Sequence, residues 1–153
     1  MHSMIETMDP VQALIEAVRA GDATSVALAL KRGASPDTAY PTGPEGGRVL
    51  TAAALRGDSK VVRALLEAGA MATYPDKNDW TPLRAAIVAG HDEIASILLE
   101  HGVDPNLPNR RGSMLGEAMD ASRHHPGPGA LRVLETLLRA GASVFDGEEH
   151  AIV

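Results

Sequence analysis

Apolar residues recur along this chain in short blocks with helical spacing, and each block ends near a glycine. In one block Ile94, Ile97 and Leu98 follow the i, i+3, i+4 pattern that places side chains on one buried stripe of a helix. Four blocks end alike, at residues 29–34, 65–70, 98–103 and 137–142. Their closing glycines stand at positions 33, 69, 102 and 141, in steps of 36, 33 and 39 residues. The pattern predicts four internal copies of one helical unit.

Each copy is predicted to contain two helices joined by a tight turn. A second glycine precedes each of the first three closing glycines by 12 residues, and one short helix fits between the two. An alanine-rich helix is predicted before each turn, at residues 10–20, 49–56, 82–89 and 114–121. Asp22 and Asp58 stand where an N-cap carboxylate accepts hydrogen bonds from first-turn amides. Asp9 and Thr81 precede prolines, whose fixed φ suits the first helical position.

The third copy resembles an ankyrin repeat over almost its whole length. It reads Asp-Lys-Asn-Asp-Trp-Thr-Pro-Leu-Arg-Ala-Ala at 76–86, Gly-His at 90–91, Leu-Leu at 98–99, glycine at 102 and Asp-Pro-Asn at 104–106. These motifs follow the 33-residue period of that family, and weaker copies cover nearly all of the chain. The resemblance implies an all-α solenoid of four helix-turn-helix repeats with finger-like connecting loops. One domain is expected over residues 1–153, with repeats at about 9–37, 38–73, 74–106 and 107–145 and a short acidic tail at 146–153.

The other copies depart from the family pattern. The first, at residues 11–37, resembles an N-terminal cap. The finger of the second is three residues longer than that of the third and contains Pro-Thr-Gly-Pro-Glu-Gly-Gly at 41–47, where no regular structure is expected. In the fourth, Ser113 replaces the usual threonine, and Ser122 stands where the inner turn of the other copies has glycine. About seven extra residues around 124–129 are expected to form a protruding turn there.

Composition narrows the possible functions. Hydrophobic residues make up 44% of the chain but aromatic residues only 3%, so the core is expected to consist of Ala, Leu, Val and Ile on closely spaced helices. A net charge of −6 argues against nucleic acid as a ligand, because phosphate binding depends on clustered Lys and Arg. The absence of Cys excludes disulfides and thiolate metal sites. There is no apolar run of the roughly 18 residues that a membrane span needs and no signal-peptide pattern in the first residues, so a cytoplasmic protein is expected.

The sequence contains no recognisable motif of an enzyme or a cofactor site. It lacks a nucleophile elbow, a Cys–His pair and a phosphate-binding glycine-rich loop between a strand and a helix. We therefore expect no catalytic residue and no cofactor. His124 and His125 are neighbours in sequence and cannot adopt the i, i+4 spacing of a helical zinc site, so no metal is expected either. A hydrolase or transferase with its site in the loops at 41–47 and 124–129 is the enzymatic alternative.

The family resemblance implies that a concave face, built from fingers and inner helices, binds a partner protein. The expected contact residues are Tyr40, Leu55, Arg56, Tyr74, Lys77, Asn78, Trp80, Arg84, Val88, Arg110 and Arg111. Trp80 is the strongest candidate for an anchor, because tryptophan is enriched at binding hot spots; packing on the neighbouring finger is the alternative. Lys77 and the arginines at 84, 110 and 111 would form a basic strip able to steer an acidic partner, unless they are only a solvated charged surface.

The leading hypothesis is a small interaction protein that binds one partner through this face. An inhibitor or immunity-type protein, which blocks an enzyme or a toxin, fits a chain that is short and acidic and shows no second domain. The alternative is a structural role through self-association, because the last copy ends at Val144 and Phe145 with only an acidic segment to cover its stacking edge. We expect another protein as partner, no nucleic acid or membrane, and a monomer or a weak dimer.

Overall fold

The computed structural model describes residues 7–41, 47–75, 80–107 and 112–144. Within these ranges the chain forms eight α-helices and no regular β-strand. The helices are α1 (Pro10–Ala20), α2 (Ala23–Lys31), α3 (Val49–Arg56), α4 (Ser59–Glu67), α5 (Pro82–Ala89), α6 (Asp92–Glu100), α7 (Met114–His124) and α8 (Pro128–Arg139). They follow one another in four pairs, each with an inner helix (α1, α3, α5, α7) and an outer helix (α2, α4, α6, α8). The predicted all-α repeat solenoid is confirmed.

Polar side chains at the N-cap define where four of the eight helices in the described ranges begin. The side chains of Asp9, Asp22 and Thr81 accept hydrogen bonds from first-turn amides at 3.1 to 3.4 Å, as predicted. Asp58 precedes α4 but makes no side-chain cap to it. Its carboxylate instead accepts a hydrogen bond from Nε of Arg56 at 3.2 Å, across the turn between α3 and α4. The cap prediction is therefore wrong for Asp58, because the neighbouring arginine competes with the amides for the same carboxylate.

Stacking of successive pairs buries one continuous apolar core. Inner helix α3 packs on α5 and α5 on α7, while the outer helices form a second row of α2, α4, α6 and α8. Leu65, Leu98 and Leu137 occupy equivalent positions in three outer helices, four residues before the closing glycine, and all three are fully buried. Each such leucine contributes roughly 2 kcal/mol by its removal from water. Ala53 and Ala86 are also inaccessible to solvent and, having small side chains, let the inner helices approach closely.

The fourth pair differs from the prediction at its turn. α7 continues to His124 and α8 begins at Pro128, so only residues 125–127 connect them. The extra residues lengthen these helices to 11 and 12 residues, against 8 or 9 in the second and third pairs. The extra residues therefore do not form an expanded loop, because nothing before Pro126 breaks the first helix and Pro128 suits the first position of the next.

The first turn of α8 packs directly against the turn of the third pair. A Cβ atom on Gly129 would lie 2.6 Å from the carbonyl oxygen of Gly90. Only glycine permits such a close approach of two backbone segments. The contact therefore ties the lengthened fourth pair to the third at the far end of α5 and α7.

Candidate partner-binding face

Three of the predicted contact residues line one depression between α5 and α7. Trp80 precedes α5, and Arg84 and Val88 follow one turn apart on that helix. The depression has a volume of about 220 Å³. Its other wall is formed by His125 and by four residues of α7, namely Glu117, Asp120, Ala121 and His124. The structure thus brings together residues from two successive inner helices, with an aromatic side chain at one edge and carboxylates at the other.

A buried arginine holds the indole of Trp80 in place. The guanidinium carbon of Arg84 lies 4.5 Å from the centroid of the Trp80 ring, in a cation–π arrangement. Its Nε lies 3.2 Å from Oε1 of Glu117 on α7. Neither atom of that pair makes an aligned hydrogen bond, so their attraction is mainly Coulombic. Arg84 is only 3% exposed, so it supports Trp80 from the protein side and offers a partner little surface of its own.

The predicted basic strip is represented, among the described residues, by Arg84 alone. Lys77, Arg110 and Arg111 lie outside the described residues, and so does Asn78, another predicted contact. The charge of Arg84 is neutralised by Glu117 across the pair described above. The strip therefore stays a prediction that depends on the three residues outside the described ranges.

Trp80 occupies a position that combines the two roles considered for it. Part of the indole packs against the hydrophobic core, and another part forms the wall of the depression. The side chain is accordingly half-buried, as is Val88 one turn beyond Arg84. A residue that is held by the core and still presents a face at a depression is well placed to act as a rigid anchor.

Two carboxylates form a ridge on α7 between this depression and a second one. Glu117 and Asp120 are nearly one turn apart and line both. The side chain of Glu117 is 14% exposed, whereas that of Asp120 is 69% exposed and has its Oδ1 3.7 Å from Nδ1 of His124. The second depression, of about 520 Å³, is completed by Gly116, Met119, Arg123 and Val144. Such a surface can accept an apolar side chain against its walls and a basic group beside Asp120.

Glu117 is a residue of this site that sequence reasoning missed. A signal for it was nevertheless present, since Glu117 follows Arg84 by 33 residues, which is one repeat period. Stacked repeats bring residues one period apart close together. A basic and an acidic residue at that spacing, both on inner helices, therefore predict an ion pair between adjacent pairs of the solenoid.

Two further predicted contacts lie at the end of the inner helix α3, outside this depression. Leu55 is 42% exposed, a large fraction for a leucine. Arg56 is also exposed, and its Nε is held 3.2 Å from the carboxylate of Asp58. The structure therefore leaves an apolar and a charged side chain available next to the second pair, one period before Val88.

The two predicted tyrosines differ in exposure. Tyr40 is buried at the base of the second finger, where its amide donates to the carbonyl of Gly47 at 2.7 Å. Tyr74 is exposed, and the guanidinium carbon of Arg48 lies 4.4 Å from the centroid of its ring. Tyr40 therefore stabilises the finger and presents little surface to a partner, whereas Tyr74 retains an accessible side chain.

Among the described residues, no three His, Asp or Glu side chains are grouped so that they could hold a metal ion. No helix formed by those residues has both the length and the apolar character needed to span a membrane.

Comparison with known proteins identifies the repeat. The family model for ankyrin repeats, in three copies, matches residues 14–109. The chain is 31% identical over 107 residues to protein phosphatase 1 regulatory subunit 27 of Mus musculus, an alignment that covers 69% of this chain and 68% of that protein. It is 38% identical over 93 residues to cyclin-dependent kinase inhibitor 2A of Homo sapiens, covering 61% of this chain and 56% of the inhibitor.

A third relative is a larger protein that matches this chain over only a small part of its own length. The chain is 38% identical over 102 residues to a probable E3 ubiquitin-protein ligase of Oryza sativa subsp. japonica, and the aligned part is 64% of this chain. It covers only 19% of the ligase. The similarity to the ligase and to the kinase inhibitor thus concerns a part of each protein.

Proposed function

Because the chain belongs to the ankyrin-repeat family, we propose that it binds a partner protein on the face formed by its inner helices and fingers, and that it is not an enzyme. The observation that carries the proposal is the depression between α5 and α7, where Trp80 is held by the buried Arg84 and still presents part of its indole. Aromatic side chains in such positions supply a large contact area at a small entropic cost.

The support for Trp80 makes this site well ordered before a partner arrives. The ion pair between Arg84 and Glu117 joins two inner helices, and the cation–π contact joins Arg84 to the indole. An anchor that is already fixed loses little conformational freedom on binding, so more of its contact energy appears as affinity. Val88 adds a half-buried apolar surface on the same wall.

The partner is expected to insert an apolar side chain beside Trp80 and Val88. The exposed carboxylate of Asp120 at the opposite wall favours a neighbouring basic group on the partner. Leu55, exposed on α3, extends the apolar surface toward the second pair. A partner segment that runs across α3, α5 and α7 would contact all of these residues.

The finer proposal is that binding inhibits or regulates an enzyme. Two of the relatives are named for such a role, one as a regulatory subunit of a protein phosphatase and one as an inhibitor of cyclin-dependent kinases. Neither name identifies the partner here. An enzyme or toxin whose activity is blocked on complex formation is the partner class that we propose.

The test begins with a partner recovered by affinity purification and mass spectrometry, produced separately and titrated by calorimetry. Trp80→Ala is expected to weaken binding by at least about 30-fold, which corresponds to about 2 kcal/mol. Val88→Glu should weaken it as well, because a charge would enter the apolar wall. Arg63→Ala, an exposed substitution on outer helix α4, is the matched control and should bind like the unmodified protein.

Circular dichroism and thermal unfolding of each variant separate a lost contact from a lost fold. Unchanged affinity of folded Trp80→Ala and Val88→Glu would contradict the proposed face. Turnover of any substrate that disappears in His124→Ala would contradict the proposal that the protein is a binding module, since it would place chemistry at the same depression.

A further inference from the structure

The last outer helix keeps apolar side chains at positions that other pairs use for stacking. The position three residues before the closing glycine is leucine in every pair. In the first three pairs this residue is buried (Leu66, 8% exposed) or half-buried (Leu30 and Leu99). In the fourth pair the equivalent Leu138 is 56% exposed. A terminal repeat that ended the solenoid toward water would be expected to carry a polar residue here.

A second position shows the same pattern. The residue seven positions before the closing glycine is Val26, Val62 or Ala95 in the first three pairs, and each is 0% exposed. The fourth pair has Leu134 there, a larger side chain that is only half-buried. The comparison indicates that α8 presents a stacking face that nothing in the described part of the chain covers.

Leu131 extends this face into the lengthened first turn of α8, where it is 61% exposed. Leu131, Leu134 and Leu138 follow the i, i+3, i+7 spacing and form a stripe roughly 10 Å long on one side of the helix. Three of the eight exposed large apolar residues in the described ranges, Met119, Leu131 and Leu138, lie on the helices of the fourth pair, and two of these three are on α8. The lengthening of α8 has thus enlarged an apolar surface at this end of the solenoid.

We propose that this α8 face binds a second copy of the chain, with the two α8 helices packed antiparallel about a two-fold axis. Such a contact continues the outer row of stacked helices, in which α6 already packs on α8. In the antiparallel arrangement Leu131 of one copy meets Leu138 of the other, so the stripe is self-complementary. Two-fold pairing is closed and yields a dimer, whereas a head-to-tail contact would add copies without limit.

The charges beside the stripe favour the same arrangement. Arg132, Glu135 and Arg139 are exposed and, by helical periodicity, lie along one edge of the stripe. An antiparallel two-fold contact places the Glu135 edge of one helix beside the Arg132 and Arg139 edge of the other. Each glutamate then lies between basic residues of the second copy, so opposite charges meet along this edge of the dimer.

Sedimentation equilibrium of the 153-residue protein, at concentrations up to about 1 mM, tests the proposal. The expected result is a reversible dimer whose dissociation constant rises at least about tenfold in Leu138→Glu, because a charge then enters the apolar stripe. Val11→Glu is the matched control: Val11 is 42% exposed on the first pair and should not affect dimerisation. Both substitutions change exposed residues, and circular dichroism verifies that each variant is folded.

A charge exchange tests the geometry independently. Glu135→Arg and the double variant Arg132→Glu/Arg139→Glu should each dimerise more weakly than the unmodified chain, because like charges meet along the edges. An equimolar mixture of the two variants should form a heterodimer with restored affinity. A mixture that shows no such recovery would overturn the antiparallel arrangement.

Other outcomes would also overturn the proposal. A monomer throughout the concentration range, or a dimer unaffected by Leu138→Glu, would show that the α8 face does not bind a second copy. If Val11→Glu dissociates the dimer, the contact is head-to-tail, with the first pair of one copy packed against the other copy. A monomer that becomes a dimer only after deletion of residues 145–153 would identify that segment as the occupant.

Since Trp80 lies beside the inner helices, Leu138→Glu should leave partner binding intact, and the two proposals can fail separately.

Discussion

Among single residues, Arg84 has the greatest influence on the candidate site. Its side chain is almost fully buried between Trp80 and Glu117, and it contacts an aromatic ring and a carboxylate together. A buried guanidinium without a counter-charge is unfavourable, because low-dielectric surroundings penalise the isolated ion. The stability of the joint between α5 and α7 therefore depends on Glu117.

Replacement of Glu117 by alanine tests this dependence. We expect a loss of about 3 kcal/mol in the free energy of unfolding, since Arg84 would be left buried and unpaired. The double variant Arg84→Met/Glu117→Leu should recover most of that loss, because the ion pair is exchanged for apolar packing. Urea denaturation followed by circular dichroism measures both values. Equal stability of Glu117→Ala and the unmodified chain would show that the pair contributes nothing.

Among the elements, α8 has a start and a position that depend on the residues of its first turn. Pro128 starts the helix, and Gly129 lets its backbone approach the Gly90 carbonyl. The length of the helix and its position against the third pair therefore originate in two adjacent residues. A side chain at the second of them would force α7 and α8 away from α5 and disturb the depression beside Trp80.

Gly129→Ala is the direct test of this close approach. The added Cβ would lie 2.6 Å from a backbone oxygen that cannot rotate away, and we expect a destabilisation of roughly 2 kcal/mol. Gly127→Ser is the matched control two residues earlier. A Cβ at Gly127 meets no atom within 4 Å, its φ of −176° is accessible to any residue, and serine suits the N-cap. A comparable loss in both variants, measured by thermal unfolding, would contradict the explanation.

The fold could be predicted from sequence wherever glycine and proline mark the ends of helices. Proline at 82 and glycine at 90 give both bounds of α5, and glycine at 57 gives the end of α3, without further information. The fourth turn could not be predicted in this way, because Ser122 neither stops nor requires a helix and the extra length alone does not show where it is accommodated. The position of the extra residues depends in part on packing of Gly129 against Gly90, a contact between residues far apart in sequence.

The candidate site was predictable to a similar degree. Trp80 was identifiable as an aromatic residue beside a helix start, independently of its neighbours. The burial of Arg84 was not, because a basic residue in the first turn of a short helix is expected to be surface charge. Its partner Glu117 lies in the copy that deviates most from the repeat pattern. Pairing across stacked helices depends on their register, which composition and periodicity determine only approximately.

At the scale of the whole molecule, the main packing contacts among the described helices are between successive pairs. Among the described helices, the second and third pairs have a neighbouring pair on both sides, whereas the first and fourth have one on a single side. In such a solenoid stability is the sum of the pairs and the interfaces between them, so local opening is easiest at the ends. The exposed stripe on α8 makes the C-terminal end the more sensitive of the two.

Amide hydrogen exchange in dilute, monomeric protein should show this gradient. Amides of α8 are expected to exchange at least about tenfold faster than those of α5 and α6, because fewer contacts must be broken to open the last pair. Raising the protein concentration should slow exchange in α8 selectively if the second copy covers it. Uniform protection in all eight helices of the described ranges would contradict the gradient.

The placement of Trp80 also has a practical consequence. It is the only tryptophan in the sequence, and it stands at the joint between two inner helices and at the candidate partner surface. Its intrinsic fluorescence therefore reports on a single known location without any attached dye. Emission should respond when a partner covers the indole or when the guanidinium beneath it is removed, so the chain carries its own optical probe of binding.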